Sequence, residues 1–218
     1  MIPKIIHYCW FGEKPMSPLI QACILSWKKY LPDWEIKEWN ELNSPIDHPF
    51  VKKALQDKKY AFAADYVRCY ALYEYGGVYL DTDMEIIRDL SPLLIYDFFS
   101  AYEDSDKSKV SCGAIGSLKG NILMNKMLKY YDQNSTMYIA MPQILGRIYN
   151  DSKFSNFKIL KSDSFYPYNP FDESKPVKQF MFNQIVDETY GIHHWGYSWK
   201  FNYFERIINK LKVMLKGL

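Results

Sequence analysis

The stretch that most limits how this chain can fold runs from Asp65 to Asp83. A helix-forming run ending at Tyr75 meets Gly76-Gly77, and glycine accepts a left-handed conformation without a Cβ penalty. Val78-Tyr79-Leu80, a short apolar strand, then leads straight into Asp81-Thr82-Asp83. Upstream, Lys4 to Tyr8 predicts a strand, Pro18 to Tyr30 a helix, and Trp34 to Trp39 a second strand. Asn43 to Pro49 is a loop with two prolines, and Phe50 to Tyr75 is helical with a break near Lys58-Lys59. The order β-α-β-α-β favours an α/β sheet with parallel strands. Further on, Phe98 to Tyr102 and Phe157 to Leu160 read as strands. Asn121 to Asp132 and Tyr138 to Tyr149 read as helices. Glu103 to Val110 is a polar surface loop, and Ser162 to Pro176 a long connection.

The chain has 218 residues, 48% hydrophobic and 24% charged, which is globular composition and excludes a disordered chain. Residues 1–200 read as one domain. The net charge of +2 gives no electrostatic case for nucleic-acid binding. Four cysteines without a CxxC pair argue against a zinc ribbon or a disulfide scaffold and predict buried free thiols. Lys4 and His7 come too early for a signal peptide, and no apolar run reaches the roughly 20 residues of a membrane span. A cytoplasmic chain is the expectation.

The charge is unevenly placed. Residues 200–218 hold five bases and one acid, +4, so the rest of the chain carries −2 of the overall +2. On a helical wheel Phe204, Ile207, Ile208, Leu211, Met214, Leu215 and Leu218 share one arc, with the bases outside it. A basic amphipathic helix over 201–218 predicts either peripheral contact with a membrane surface or docking on protein.

Asp81 and Asp83 carry the first chemical signal. In extended chain the side-chain period is two, so they project to the same side. Two carboxylates ~4 Å apart repel by ~4 kcal/mol at an effective dielectric of ~20. A hard divalent ion, Mg²⁺ or Mn²⁺, relieves this, whereas a turn that caps backbone groups is the plainer alternative. Asp65 and Arg68 share a helix face three residues apart and suit a polyol ligand, or form a simple intrahelical ion pair. One of the adjacent His193 and His194 is positioned to complete a metal shell, since strand neighbours point to opposite faces. Trp10 ends the first strand at the edge that carries Asp81, where it either stacks on a base or fills core.

In this order, Ile2 to His7 with Trp10-Phe11-Gly12, Ala64 to Tyr73, Gly76 to Asp83 and Ile192 to Trp195 with Ser198-Trp199 resemble glycosyltransferase family 32. That group has a sugar-binding region containing a DXD motif. The resemblance implies a GT-A fold, a Rossmann-like sheet that binds a nucleotide-sugar with a divalent metal. It also implies transfer with retention of anomeric configuration, from a nucleoside-diphosphate hexose (UDP-hexose foremost) to a saccharide or lipid-linked saccharide acceptor. Relatives include enzymes of bacterial capsule and lipopolysaccharide synthesis, which makes surface polysaccharide the implied product.

By the same resemblance Trp10 stacks on the base, and Asp65 and Arg68 hold the donor sugar. Asp81 contacts ribose or sugar and orders the metal site, and Asp83 ligates the metal. His193 or His194 completes it, and Ser198 and Trp199 touch the diphosphate. Many bacterial relatives carry Thr-Gly-Pro where this chain has Ala140-Met141-Pro142, so the acceptor does not transfer from them. A metal-dependent phosphohydrolase would use Asp81 and Asp83 but has no need of Trp10, Asp65 or Arg68. A silent sugar-nucleotide binding module would need no metal.

Overall fold

The computed structural model describes residues 1–107, 109–150, 155–172, 177 and 179–196. Ser198, Trp199 and the segment 201–218 lie outside the described residues. Strand β1 (Ile5–Cys9), helix α1 (Pro18–Tyr30), strand β2 (Glu35–Trp39), helices α2 (Pro49–Gln56) and α3 (Tyr60–Tyr75) and strand β3 (Gly77–Leu80) follow one another as the sequence predicts. After them come β4 (Met84–Ile86), β5 (Phe98–Ala101), β6 (Ala114–Ser117), α4 (Ile122–Gln133), α5 (Met141–Asn150), β7 (Phe157–Leu160) and β8 (Gly191–His193).

The local reasons are chemical. Ser17 caps α1 by accepting the Ile20 N–H, and Pro18 occupies the first turn, where its missing N–H costs nothing. Lys58, at φ 54°, separates α2 from α3. Gly76 and Gly77 end α3 at φ 68° and 110°, and a Cβ on Gly77 would lie 2.6 Å from the Ile5 carbonyl oxygen. The turn therefore needs both their left-handed freedom and their missing side chains. Helix α5 begins three residues later than the sequence predicts. Pro142, which has no N–H to give, fits only in a first turn, and this fixes the start at Met141.

The main sheet has the order β2-β1-β3-β6-β5-β7. Five strands are parallel, but β6 runs antiparallel to both β3 and β5, a departure from the all-parallel expectation. The sequence misses β6 because Ala114-Ile115-Gly116-Ser117 is short and glycine-broken; it exists because both neighbours supply ladder partners. Strand β4 pairs with β8 in a separate two-stranded sheet, with Met84 opposite His193.

Alternation along the strands divides the core between the two faces of the sheet. Ile6, Tyr8, Val78 and Leu80 pack with Trp27 of α1 and Leu31 at its end on one face. Cys9 and Tyr79 pack with Val67, Leu72, Leu123 and Ile144 of α3, α4 and α5 on the other. All four cysteines are free and buried. Among the described residues, no helix is long and apolar enough to cross a membrane.

Candidate active site

Because β1 and β3 are parallel neighbours, their carboxyl ends place Trp10 and Asp81 at one sheet edge. The chain leaves β1 toward β2 on one side and leaves β3 toward β5 and β6 on the other, and such a switch point leaves a crevice for ligands. Helix α3 lies across the same edge and contributes Asp65 and Arg68.

The two acids of Asp81-Thr82-Asp83 do not meet by strand alternation, as the sequence suggests. Strand β3 ends at Leu80, and Asp81 to Met84 is a turn closed by the Met84 N–H donating to the Asp81 carbonyl at 2.9 Å. The Trp27 indole N–H, from α1, holds the Met84 carbonyl at 2.6 Å and anchors the far side of that turn. Strand β8 then carries His193 opposite Met84. Its Nε2 lies 3.2 Å from an Asp83 carboxylate oxygen and 3.8 Å from one of Asp81. One ligand atom each from Asp81, Asp83 and His193 all lie within 4.8 Å of one another.

His194 turns away from this group. Its Nε2 sits 2.8 Å from a Glu85 carboxylate oxygen, so the two histidines face apart as adjacent residues of an extended chain do. Gly196 completes the turn: its N–H donates to the second Asp83 oxygen at 2.6 Å, and Trp195 precedes it at φ 53°. Burial works against the Asp83 charge. The His193 hydrogen bond and charge outweigh that and hold its carboxyl at about 2. For His193, burial favours the neutral ring, while Asp83, Asp81 and Glu103 together raise its pKa.

Arg68 joins the cluster of Asp81, Asp83 and His193 to the helix. It is 6% exposed, with Nη2 at 3.2 Å from Asp65 and 3.3 Å from Asp81. Its Nη1 donates to the Cys112 carbonyl, and its guanidinium lies 4.3 Å from the Tyr79 ring centroid. Asp81 thus presents one oxygen to the guanidinium and the other to His193. Burial raises the Asp65 carboxyl to about 7 against the pull of Arg68 and of the Met141 N–H. A buried ion pair of this kind is costly to assemble for stability alone. Trp10 is half-buried against the α1 side of the core, and its N–H is taken by the Lys14 carbonyl at 2.8 Å. Its ring, not its N–H, is what it offers a ligand.

Sequence reasoning misses the wall opposite these residues, Ser111-Cys112-Gly113 with Tyr166. The Gly113 carbonyl accepts the Asp81 N–H at 2.8 Å. A Cβ on Gly113 would stand 2.8 Å from both an Asp81 carboxylate oxygen and the Tyr166 hydroxyl. Ser111 donates to Tyr166. A lone Cys-Gly pair carries no local signal; only the antiparallel β6 brings it to the site.

The donor set suits a divalent ion: two carboxylates and an imidazole, with His193 Nδ1 buried and without a hydrogen-bond partner. Residues 17–100 match the family described as "Glycosyltransferase sugar-binding region containing DXD motif". That span includes Asp65, Arg68, Asp81 and Asp83, while Trp10 and His193 join them through the fold. Over 166 residues the chain is 28% identical to inositol phosphoceramide mannosyltransferase 3 of Schizosaccharomyces pombe. The alignment covers 68% of this chain and 45% of that protein, so the chain spans less than half of the relative's length. Among solved structures, the PaToxG glycosyltransferase superposes with TM-score 0.55 at 18% identity over 69% of each chain. The galactosyltransferase LgtC, solved with donor and acceptor sugar analogues, superposes with TM-score 0.50 at 14% identity over 94% of each chain. The chain thus shares the GT-A fold of these solved glycosyltransferases, and its residues 17–100 match the DXD sugar-binding region.

Proposed function

We propose that the protein transfers a hexose, with retention, from a nucleoside diphosphate to a hydroxyl of a saccharide or lipid-linked saccharide. The observation that carries this reading is the meeting of Asp81, Asp83 and His193 beside the buried Asp65–Arg68 pair. Asp81, Asp83 and His193 would hold a divalent ion, Mn²⁺ or Mg²⁺, which would supply positive charge toward a leaving diphosphate. Arg68 and Asp65 then orient the sugar through its hydroxyls, and the Trp10 ring stacks on the base. Ser198 and Trp199 are assigned to the diphosphate by resemblance. The relative's name points to mannose as well as to the hexoses of UDP donors.

A panel of UDP-hexoses and GDP-mannose with Mn²⁺, read by free nucleotide release, tests the reading. Slow hydrolysis of one donor, abolished by EDTA and by Asp83→Ala, is the expected result. Donor binding that survives both treatments, with no turnover, would favour a silent binding module. Nucleotide release from every donor alike, together with hydrolysis of simple phosphate esters, would favour a phosphohydrolase. The basic segment 201–218 supports a further proposal: peripheral contact on the cytoplasmic face of a membrane, in surface polysaccharide assembly. Equal binding to anionic vesicles with and without residues 209–218 would refute the membrane part.

A further inference from the structure

A second cavity of about 350 Å³ opens between the loop after β5 and helix α5. Its lining includes Tyr102, Lys107, Lys109, Gln143, Arg147 and Tyr149, and among the described residues it holds three cations and no carboxylate. Lys109 lies 3.9 Å from Asp104, a loose pair, while the Lys107 and Arg147 side chains have no acidic partner among the described residues. A Cβ on Gly146 would meet nothing within 4 Å, so this helix face is open to the cavity.

The cavity shares no lining residue with the donor site, but two of its lining residues adjoin site residues along the chain. Strands β5 and β3 are both antiparallel to β6, so Tyr102 and Asp81 leave the sheet at the same edge. Val110, paired with Tyr102 at the neck of the loop, immediately precedes Ser111 of the site wall. Pro142, also in the lining, follows Met141, whose N–H donates to Asp65. The cavity is thus one residue along the chain from Met141, which meets Asp65, and from Ser111 of the site wall.

We propose that this cavity is the acceptor subsite and that it selects an acceptor bearing an anionic group, phosphate or carboxylate, next to the sugar ring. The inference rests on the glycosyl-transfer reading above and adds the acceptor class to it. Lysine ammonium groups and the Arg147 fork pair with either anion, and the Tyr102 and Tyr149 rings give a sugar an apolar wall. Charge of one sign in a cleft also draws such a ligand in and weakens with salt.

The full chain, with Mn²⁺ present, is titrated calorimetrically with glucose 6-phosphate, glucuronate, methyl glucoside and inorganic phosphate. At least one charged sugar is expected to bind at least about tenfold more tightly than methyl glucoside and than phosphate alone, and less tightly at high salt. Which of the two charged sugars wins identifies the anion. Arg147→Gln is expected to weaken that ligand about tenfold and to leave donor hydrolysis unchanged. Gly146→Leu, which fills the cavity and keeps the charges, should block it as well. Equal affinity for neutral and charged sugars, phosphate binding as well as either sugar, or no effect of both variants overturns the proposal. If no donor is hydrolysed while the charged sugar still binds and both variants weaken it, the glycosyl-transfer reading fails and the anion site stands.

Discussion

Two histidines, His7 and His193, show how one residue type is used for opposite ends in this fold. His7, in β1, is fully buried with both ring nitrogens engaged: Nε2 lies 2.8 Å from the Gly76 carbonyl and Nδ1 accepts the Trp39 indole N–H at 3.1 Å. Burial, reinforced by nearby Lys37, pushes its pKa down to about 4, so it is a neutral core residue. His193, in β8, has Nε2 against two carboxylates and Nδ1 without a partner. Its pKa goes the other way. His7 is fully buried and His193 nearly so, and the larger difference is what surrounds each ring. Neutral partners on both nitrogens suit a structural histidine, and neighbouring carboxylates suit one that binds a cation.

The sharpest way to break this contrast is on the acid side. Asp83→Asn keeps the size of the side chain but removes the charge, and should lower transferase turnover by about 10³-fold with little change in melting temperature. A melting temperature that collapses while residual turnover persists would mean that the acids around His193 are structural, as the surroundings of His7 are. Next in size is Arg68→Met. It leaves Asp65 without its buried partner and is expected to cost about 3–5 kcal/mol in denaturant unfolding as well as activity. A stability change near zero would show that the pair contributes to ligand binding alone.

Unfolding free energy measured against pH separates the histidines directly. The depressed pKa of His7 means that the unfolded chain binds its proton more tightly. Its contribution is complete above pH 6.5 and is lost as pH falls toward about 4, to a total of about 3 kcal/mol. A His7→Gln variant should show a flatter profile in that window, and an identical profile would contradict a neutral His7. In EDTA-treated protein the His193 imidazole should titrate above its ordinary value by NMR, the opposite direction. The smallest expected effect is that of Gly113→Ala. Its methyl group would crowd the Asp81 carboxylate and Tyr166, lowering turnover about tenfold by displacing a charged group by less than an ångström.

Much of this was legible in the chain because it is local chemistry. Helix α1 carries its own cap and proline, the Gly76-Gly77 stop needs no distant partner, and strand β7 falls on the predicted span. The face shared by Asp65 and Arg68 follows from helical spacing. Strand β6, by contrast, has no pattern of its own, and its antiparallel direction comes from the strands on either side. Strands β4 and β8 are three residues each and exist only as a pair.

The sequence by itself determined which residue types were available to the site, and in which order the helices and strands deliver them to one sheet edge. The tertiary structure alone decided that a turn, not strand alternation, brings Asp81 and Asp83 together. It also selected His193 over His194, made Gly113 a wall of the site, and opened a basic cavity beside it. The physical reason is range: caps, stops and periodicity act within a few residues. The pairing that sets β8 against β4, and the ladders on either side of β6, close over tens of residues and are held by partners that no local window contains.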